Sequence, residues 1–288
     1  MPYLDHIRAC NNFDASAFRP FRVGGERAGH IRHDFAEMLR RWPDVFQVSN
    51  DAVQLDPALD GFDARSAAVA GPIGTLADEG VFTGWRGELY PVKPDWAAPP
   101  SMQLERAACP FFGIRAYGVH LNGYVQRPDG LHMWVARRAR DKATFPGQLD
   151  NIVAGGQPIG LSLLENLVKE CEEEAAIPAD IARRAVPVGM ISYTHQPPEG
   201  CKPDQMFVYD LEVPADFTPT PADGEVEAFH LWPIEQVAEV VRDSFEFKFN
   251  CNLVVIDFLL RHGVLDPDAE PDYAALVHGL RAGGAVRA

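Results

Sequence analysis

Positive charge is scarce in this chain: 26 lysines and arginines stand against 41 aspartates and glutamates in 288 residues, a formal net charge of −15. A surface that acidic lacks the cations needed to hold a phosphate backbone, which excludes nucleic acid as the expected partner. Long apolar runs are missing as well. The densest, over residues 253–260, is interrupted by Asp257, so no membrane-spanning helix is expected. The opening "MPYLDHIRACNNFD" has no basic stretch leading into an apolar one, so a secretory signal is not expected and a cytoplasmic location is. The five cysteines are odd in number, widely spaced and without a C-x-x-C pair, which argues against a disulfide framework or a zinc site. No fixed-period repeat or low-complexity tract occurs. Hydrophobic residues, at 47%, are plentiful enough for a substantial core and two domains.

Against this background one stretch stands out, "IVAGGQPIGLSLLENLVKECEEEAAIP", where acidic residues crowd behind a glycine pair. Ser162 and Glu165 have the spacing of a capping box, in which each side chain satisfies a backbone donor orphaned at a helix start. The helix is therefore predicted to begin near Leu163. At about 100° per residue, Leu164, Leu167, Val168, Cys171 and Ala175 form its apolar stripe, while Glu165, Lys169 and Glu172 lie opposite. Glu170, Glu173 and Glu174 share the flank between, with Cβ atoms roughly 5–6 Å apart. Three like charges so placed repel. A bound divalent cation turns that repulsion into a ligand set, because hard ions take carboxylate oxygen and are often held jointly with substrate phosphates.

The stretch resembles the Nudix box, G-x5-E-x7-R-E-U-x-E-E-x-G-U with U aliphatic. The core E-x-x-E-E is intact at Glu170, Glu173 and Glu174. Three positions depart: Leu161 replaces the first glutamate, Lys169 the arginine and Ala176 the glycine. The first two together remove a charge pair that helps hold the loop against the helix, and lysine cannot copy a planar guanidinium fork. Ala176 in a left-handed conformation costs on the order of 1 kcal/mol. The preceding "WVARRARDKATFPGQLDNIVAGG" is similar to the approach to the box in relatives of isopentenyl-diphosphate isomerase. With "ENLVKECEEEA" and a separate N-terminal region, the whole chain looks closest to Nudix proteins described as thiamine pyrophosphokinase-related.

The expected fold class is α/β: a Nudix α/β/α sandwich with a mixed sheet, preceded by a small α+β domain. The expected boundaries are residues 1–108 for the N-terminal domain, 109–265 for the Nudix domain and 266–288 for a short helix and loose tail. In the first domain, strand signals in "FRVGGERAGHI" and "VFQVSNDAVQL" flank a helix in "DFAEMLRRWP". Prolines at 91, 94, 99 and 100 mark its edge. In the second, strands are expected at "GIRAYGVHLNGYVQ" and "LHMWVARRA" around the turn at residues 128–130, and at "VGMISYTH" and "QMFVYDLEV". Helices follow at "PIEQVAEVVRD" and "NLVVIDFLLRHG".

The resemblance implies hydrolysis of a small-molecule diphosphate, thiamine diphosphate or its oxidised forms, to monophosphate and phosphate. It implies Mg²⁺ or Mn²⁺ held by Glu170, Glu173 and Glu174, the last also counted among the catalytic groups. A base outside the box is sought in "ADGEVEAFHLW", at Glu225, beside the glycine, or at Glu227. Gly155 and Gly156 allow close approach of a phosphate, and Arg137, Arg138 and Lys142 are candidates to meet it, though strand neighbours point to opposite faces. Trp85, Tyr90 and Trp96 serve packing or stack on a planar ring. Two other readings stay open: an isomerase, for which neither Cys109 nor Cys171 sits in a convincing context, and a catalytically inactive ligand sensor. A homodimer is also left open.

Overall fold

The computed structural model describes residues 2–142 and 144–285. The chain opens with α1 (Leu4–Cys10) and then builds an N-terminal unit. Its strands are β1 (Phe18–Val23), β2 (Glu26–Arg32), β3 (Phe46–Val48) and β4 (Val53–Leu55), ordered β2-β1-β4-β3, with α2 (His33–Leu39) between β2 and β3. Both predicted strand segments and the helix between them are present. A long helix, α3 (Gly61–Asp78), has no counterpart among the expected elements, and it carries Gly71, Pro72 and Gly74, residues that weaken a local helix signal. It forms by burying Val69, Pro72, Ile73 and Leu76. The hairpin β5 (Leu89–Val92) and β6 (Met102–Glu105) and the short α4 (Cys109–Phe112) complete this core.

The second unit is built on β7 (Tyr117–Arg127), β8 (Gly130–Arg138), β9 (Leu149–Asn151) and β10 (Val153–Gly156). Next come α5 (Leu163–Ala175), α6 (Ala179–Ala182), β11 (Val186–Ser192), β12 (Gln205–Glu212), β13 (Val226–Pro233), α7 (Ile234–Asp243), α8 (Cys251–Arg261) and α9 (Tyr273–Gly279). Five strands run β11-β12-β7-β8-β13, with β10 pairing β7 and β9 pairing β8. The sheet is mixed, since β12 lies parallel to β7 and its other pairings are antiparallel. Leu167, Cys171 and Ala175 of α5 and Ala182 of α6 cover one face, and α7 and α8 cover the other. This is the expected α/β/α sandwich.

Two segments sit elsewhere than the sequence suggested. Helix α8 is buried from residue 251 through 260, and a helix apolar all round needs cover on every side. Part of that cover comes from α1, whose Ile7 and Cys10 join the α8 core, so the chain's first helix packs with the second unit and not the first. The C-terminal segment is docked through residue 283 instead of loose: Ser192 N–H donates to Leu280 O at 3.0 Å, and Arg281 pairs with the buried Asp257 at 2.7 Å. Residues 286–288 of the expected tail lie outside the described residues.

Candidate active site

Helix α5 begins where the capping box placed it. Ser162 Oγ accepts from Glu165 N–H, and Glu165 Oε2 accepts from Ser162 N–H at 2.9 Å. The helix ends at Ala176, which takes the left-handed conformation at φ 51°. Leu164 departs from the predicted stripe and is 41% exposed, while Asn166 is buried in its place. The reason lies in the loop. With Leu161 and Lys169 unable to form the charge pair, Asn166 Nδ2 donates to Gly156 O at 2.8 Å and Gln157 Nε2 donates to Leu161 O at 2.7 Å. Asn166 thus ties the glycine strand to the helix, and Gln157 braces the loop between them.

Glu170 and Glu174, one turn apart, both lie against β10. A Cβ on Gly155 would sit 2.4 Å from Glu170 Cγ and Cδ, so glycine there makes the room the carboxylate occupies. Glu174 accepts from Ala154 N–H at 3.0 Å. Burial pushes Glu170 above the usual carboxylate range, against the pull of Lys169. Burial pushes Glu174 well above it, opposed by the Ala154 N–H and reinforced by Asp150, Glu170 and Glu225.

Glu173 does not join them. It is half-exposed and pairs with Lys169 Nζ at 2.6 Å, while the same ammonium lies 3.4 Å from Glu170. The expected cluster of three carboxylates is therefore not formed, and among the described residues no group of three or more His, Cys, Asp or Glu side chains is placed to hold a metal ion. The donors still suit a hard cation: two desolvated carboxylates lie against β10, Glu170 in the space Gly155 leaves and Glu174 on Ala154, and the Lys169 ammonium already bridges Glu170 and Glu173 as a stand-in charge.

The loop acids divide. Glu225 pairs with Lys142 Nζ, and Arg86 approaches it at 3.9 Å. Part-burial would raise its carboxyl, but Lys142 first, then Arg86 and Arg138, hold it below the ordinary value. Glu227 lies outward on Arg140 at 3.3 Å. Arg137 is not turned to the carboxylates: its guanidinium donates to Gly147 O at 2.9 Å. Gly156 packs under Tyr90, since a Cβ there would fall 1.5 Å from the phenol oxygen.

Sequence reasoning missed the buried charge group behind these residues. Asp150 meets Arg138 at 2.9 Å, Lys248 at 3.5 Å and Cys251 Sγ at 2.7 Å. Burial alone would raise its carboxyl, yet Lys248 and Arg138 hold it at about 2. Lys248 reaches this place because Lys248 N–H donates to Leu149 O at 2.8 Å, extending the β9 edge. A lysine inside the alternating "FEFKFN" was the available signal. The five thiols are free and buried, and burial drives Cys10, Cys171 and Cys201 up to about 12, which leaves no thiolate for isomerase chemistry at these three. Trp96 packs on Tyr117 and Phe207 at the junction of the units, and Tyr90 is in the N-terminal core.

Fold and site define a hydrolase class: a sandwich in which a glycine strand feeds a capped, carboxylate-bearing helix. A family profile described as the NUDIX domain matches residues 117–251, and one described as a domain of unknown function (DUF4743) matches residues 2–116. Nudix hydrolase 24, chloroplastic, of Arabidopsis thaliana is 45% identical over 285 residues, covering 98% of this chain and 78% of its own. Nudix hydrolase 20, chloroplastic, of the same plant is 45% identical over 290 residues, covering 97% and 77%. The solved NUDIX domain of Shewanella oneidensis NrtR, complexed with ADP ribose, covers 52% of this chain and 90% of its own at 12% identity and a TM-score of 0.42. The chain belongs to the Nudix hydrolase family, enzymes acting on diphosphate bonds.

Proposed function

We propose that this hydrolase cleaves the diphosphate of a small organic compound, thiamine diphosphate or its oxidised forms first among them, to monophosphate and phosphate. The observation that carries the reading is the roofed carboxylate pair: Glu170 and Glu174 lie against β10, while the N-terminal unit closes over the adjoining loop through Tyr90 on Gly156 and the Ile159 N–H to Leu89 O bond at 2.9 Å. A site so bounded would select by the organic half, since diphosphate binding is common to every substrate of this type. The thiamine assignment is supported by the resemblance of the box and its approach to the thiamine pyrophosphokinase-related subgroup. The cytoplasm is part of the same proposal, although the two plant relatives carry chloroplastic names.

Glu170 and Glu174 would hold Mg²⁺ or Mn²⁺, joined by Glu173 once it leaves Lys169, and the ion would supply the charge that offsets the diphosphate. Glu225, kept ionised by Lys142, is the proton acceptor for the attacking water. The water oxygen forms a bond to phosphorus, the bridging P–O bond breaks, and the water proton passes to a Glu225 oxygen. Glu227, paired with the exposed Arg140, is the alternative to Glu225 in this role. Lys248 and Arg138 neutralise Asp150, so that its charge does not add to the repulsion an anionic substrate meets.

The test is a product-release assay with Mg²⁺ over thiamine diphosphate, its oxidised analogues, ADP-ribose, NADH, nucleoside triphosphates and isopentenyl diphosphate. The expected result is monophosphate from a thiamine-type compound, abolished by chelation and in Glu170→Gln. Turnover of nucleotides alone would reject the substrate, and isomerised isopentenyl diphosphate would favour the isomerase.

A further inference from the structure

The carboxylates of this site must admit an anion, yet most cations around them are already engaged. Arg138 and Lys248 serve Asp150, Lys142 serves Glu225 and Lys169 serves Glu173. Arg137 is spent on a backbone carbonyl. Arg86, from the N-terminal unit, is different. Its guanidinium is 47% exposed and comes only to 3.9 Å from Glu225, beyond hydrogen-bond length. A planar fork of five N–H donors so placed is free to take two phosphate oxygens.

The backbone around it is anchored. Arg86 N–H donates to the buried Glu105 at 3.0 Å, and Leu89 O accepts from the box loop at Ile159. Gly84 and Gly87 flank the dipeptide at φ 76° and 69°. A Cβ at either would meet open space, so the left-handed backbone and not crowding calls for glycine. The turn they make presents Trp85 beside Arg86. Trp85 is 49% exposed, whereas Tyr90 is in the core and Trp96 is packed on two other rings. An indole held out on a pinned turn next to a phosphate-seeking guanidinium suits a planar, heteroaromatic ring carrying a diphosphate.

We propose that Arg86 grips the diphosphate of the substrate and Trp85 stacks on its planar organic half, so that the N-terminal unit supplies the specificity of the hydrolase site. The proposal rests on the diphosphatase reading above. Arg86 exchanges its loose contact with Glu225 for phosphate oxygens as substrate enters, and the carboxylate is left to its water.

The test compares KM and kcat of Arg86→Ala, Arg86→Lys and Trp85→Ala for the heteroaromatic diphosphate that the wild type turns over fastest, alongside the Ki of isopentenyl diphosphate, which has no ring. Unchanged melting temperatures confirm that each variant is folded. Arg86→Ala should raise both KM and Ki about tenfold or more, with little recovery in Arg86→Lys, because an ammonium cannot make the bidentate contact. Trp85→Ala should raise the KM about tenfold and leave the Ki unchanged. A KM within twofold of wild type in Arg86→Ala, or equal effects of Trp85→Ala on KM and Ki, would overturn the proposal. If ADP-ribose proves to be the substrate, the thiamine assignment fails while the same comparison still decides the two residues. If the wild type turns over nothing, calorimetric Kd values for ADP and thiamine diphosphate with Mg²⁺ replace KM; absence of binding rejects both readings.

Discussion

Replacing Gly155 by alanine separates the site from the fold. An added Cβ would lie 2.4 Å from Glu170 Cγ and Cδ and 2.7 Å from Oε1, closer than real Cβ atoms come. The backbone cannot retreat, because Gly155 is registered against Val119 within the sheet. The Glu170 side chain must therefore swing away. Leaving its rotamer costs about 0.5–1.5 kcal/mol, small beside a total stability of about 5–15 kcal/mol. Gly155→Ala should fold with a urea midpoint close to wild type and lose turnover about a hundredfold, the scale for removing one placed electrostatic group. Gly156→Ala is the contrast. There the Cβ would fall 1.5 Å from Tyr90 Oη and 2.8 Å from Cζ, and that ring is fixed in the N-terminal core. Overpacking of about 1–3 kcal/mol or more should lower its urea midpoint. Steady-state turnover and urea unfolding of both proteins provide the measurement. Wild-type turnover in Gly155→Ala, or a loss of stability matching that of Gly156→Ala, would refute the placement of Glu170.

Glu170→Gln and Glu174→Gln should each cut turnover by orders of magnitude, and Glu173→Gln by less, since it lies outward on Lys169; equal losses in all three would show that Glu173 swings fully into the site. Glu174→Gln should also raise the urea midpoint at neutral pH, because burial disfavours the Glu174 carboxylate and a neutral amide escapes that cost. Glu225→Gln should lower kcat with metal affinity, read by calorimetry, unchanged, while Glu227→Gln stays mild; the reverse ranking transfers the base to Glu227. Burial, aided by Arg27 and Lys248 respectively, lowers His30 and His120 from 6.5 to about 4. The unfolded chain binds the extra protons, so this stability is complete above pH 6.5 and falls as pH drops toward 4, by about 3 kcal/mol per histidine. Urea midpoints at pH 7.5 and 4.5 should differ less in His120→Asn than in wild type, and an identical difference would exclude His120.

Local signals carried far along this chain. The capping box at Ser162 and Glu165 and the hairpin turn at residues 128–130 were legible because each depends on residues a few positions apart, whereas the left-handed Ala176 and the sandwich followed from the resemblance to the Nudix pattern. The box helix likewise announced that carboxylates would share one flank behind the glycine pair, although the strand β10 that carries those glycines was not expected. Spacing could not say which of the three would face it. Glu170 and Glu174 turn inward because β10 lies under that side of α5, whereas Glu173 is half-exposed and pairs with Lys169. Helix α3 exists despite its glycines and proline because the N-terminal core pays its propensity deficit through burial. Asp150 with Lys248, Arg86 with Glu225, and Tyr90 over Gly156 join residues roughly 70 to 140 positions apart, and no local periodicity encodes such pairings. The sequence by itself determined the family, the scaffold and the acidic helix; the folded chain alone decided which charges are buried together and that the N-terminal unit forms the roof of the site, since both depend on distances set by packing and not by order along the chain.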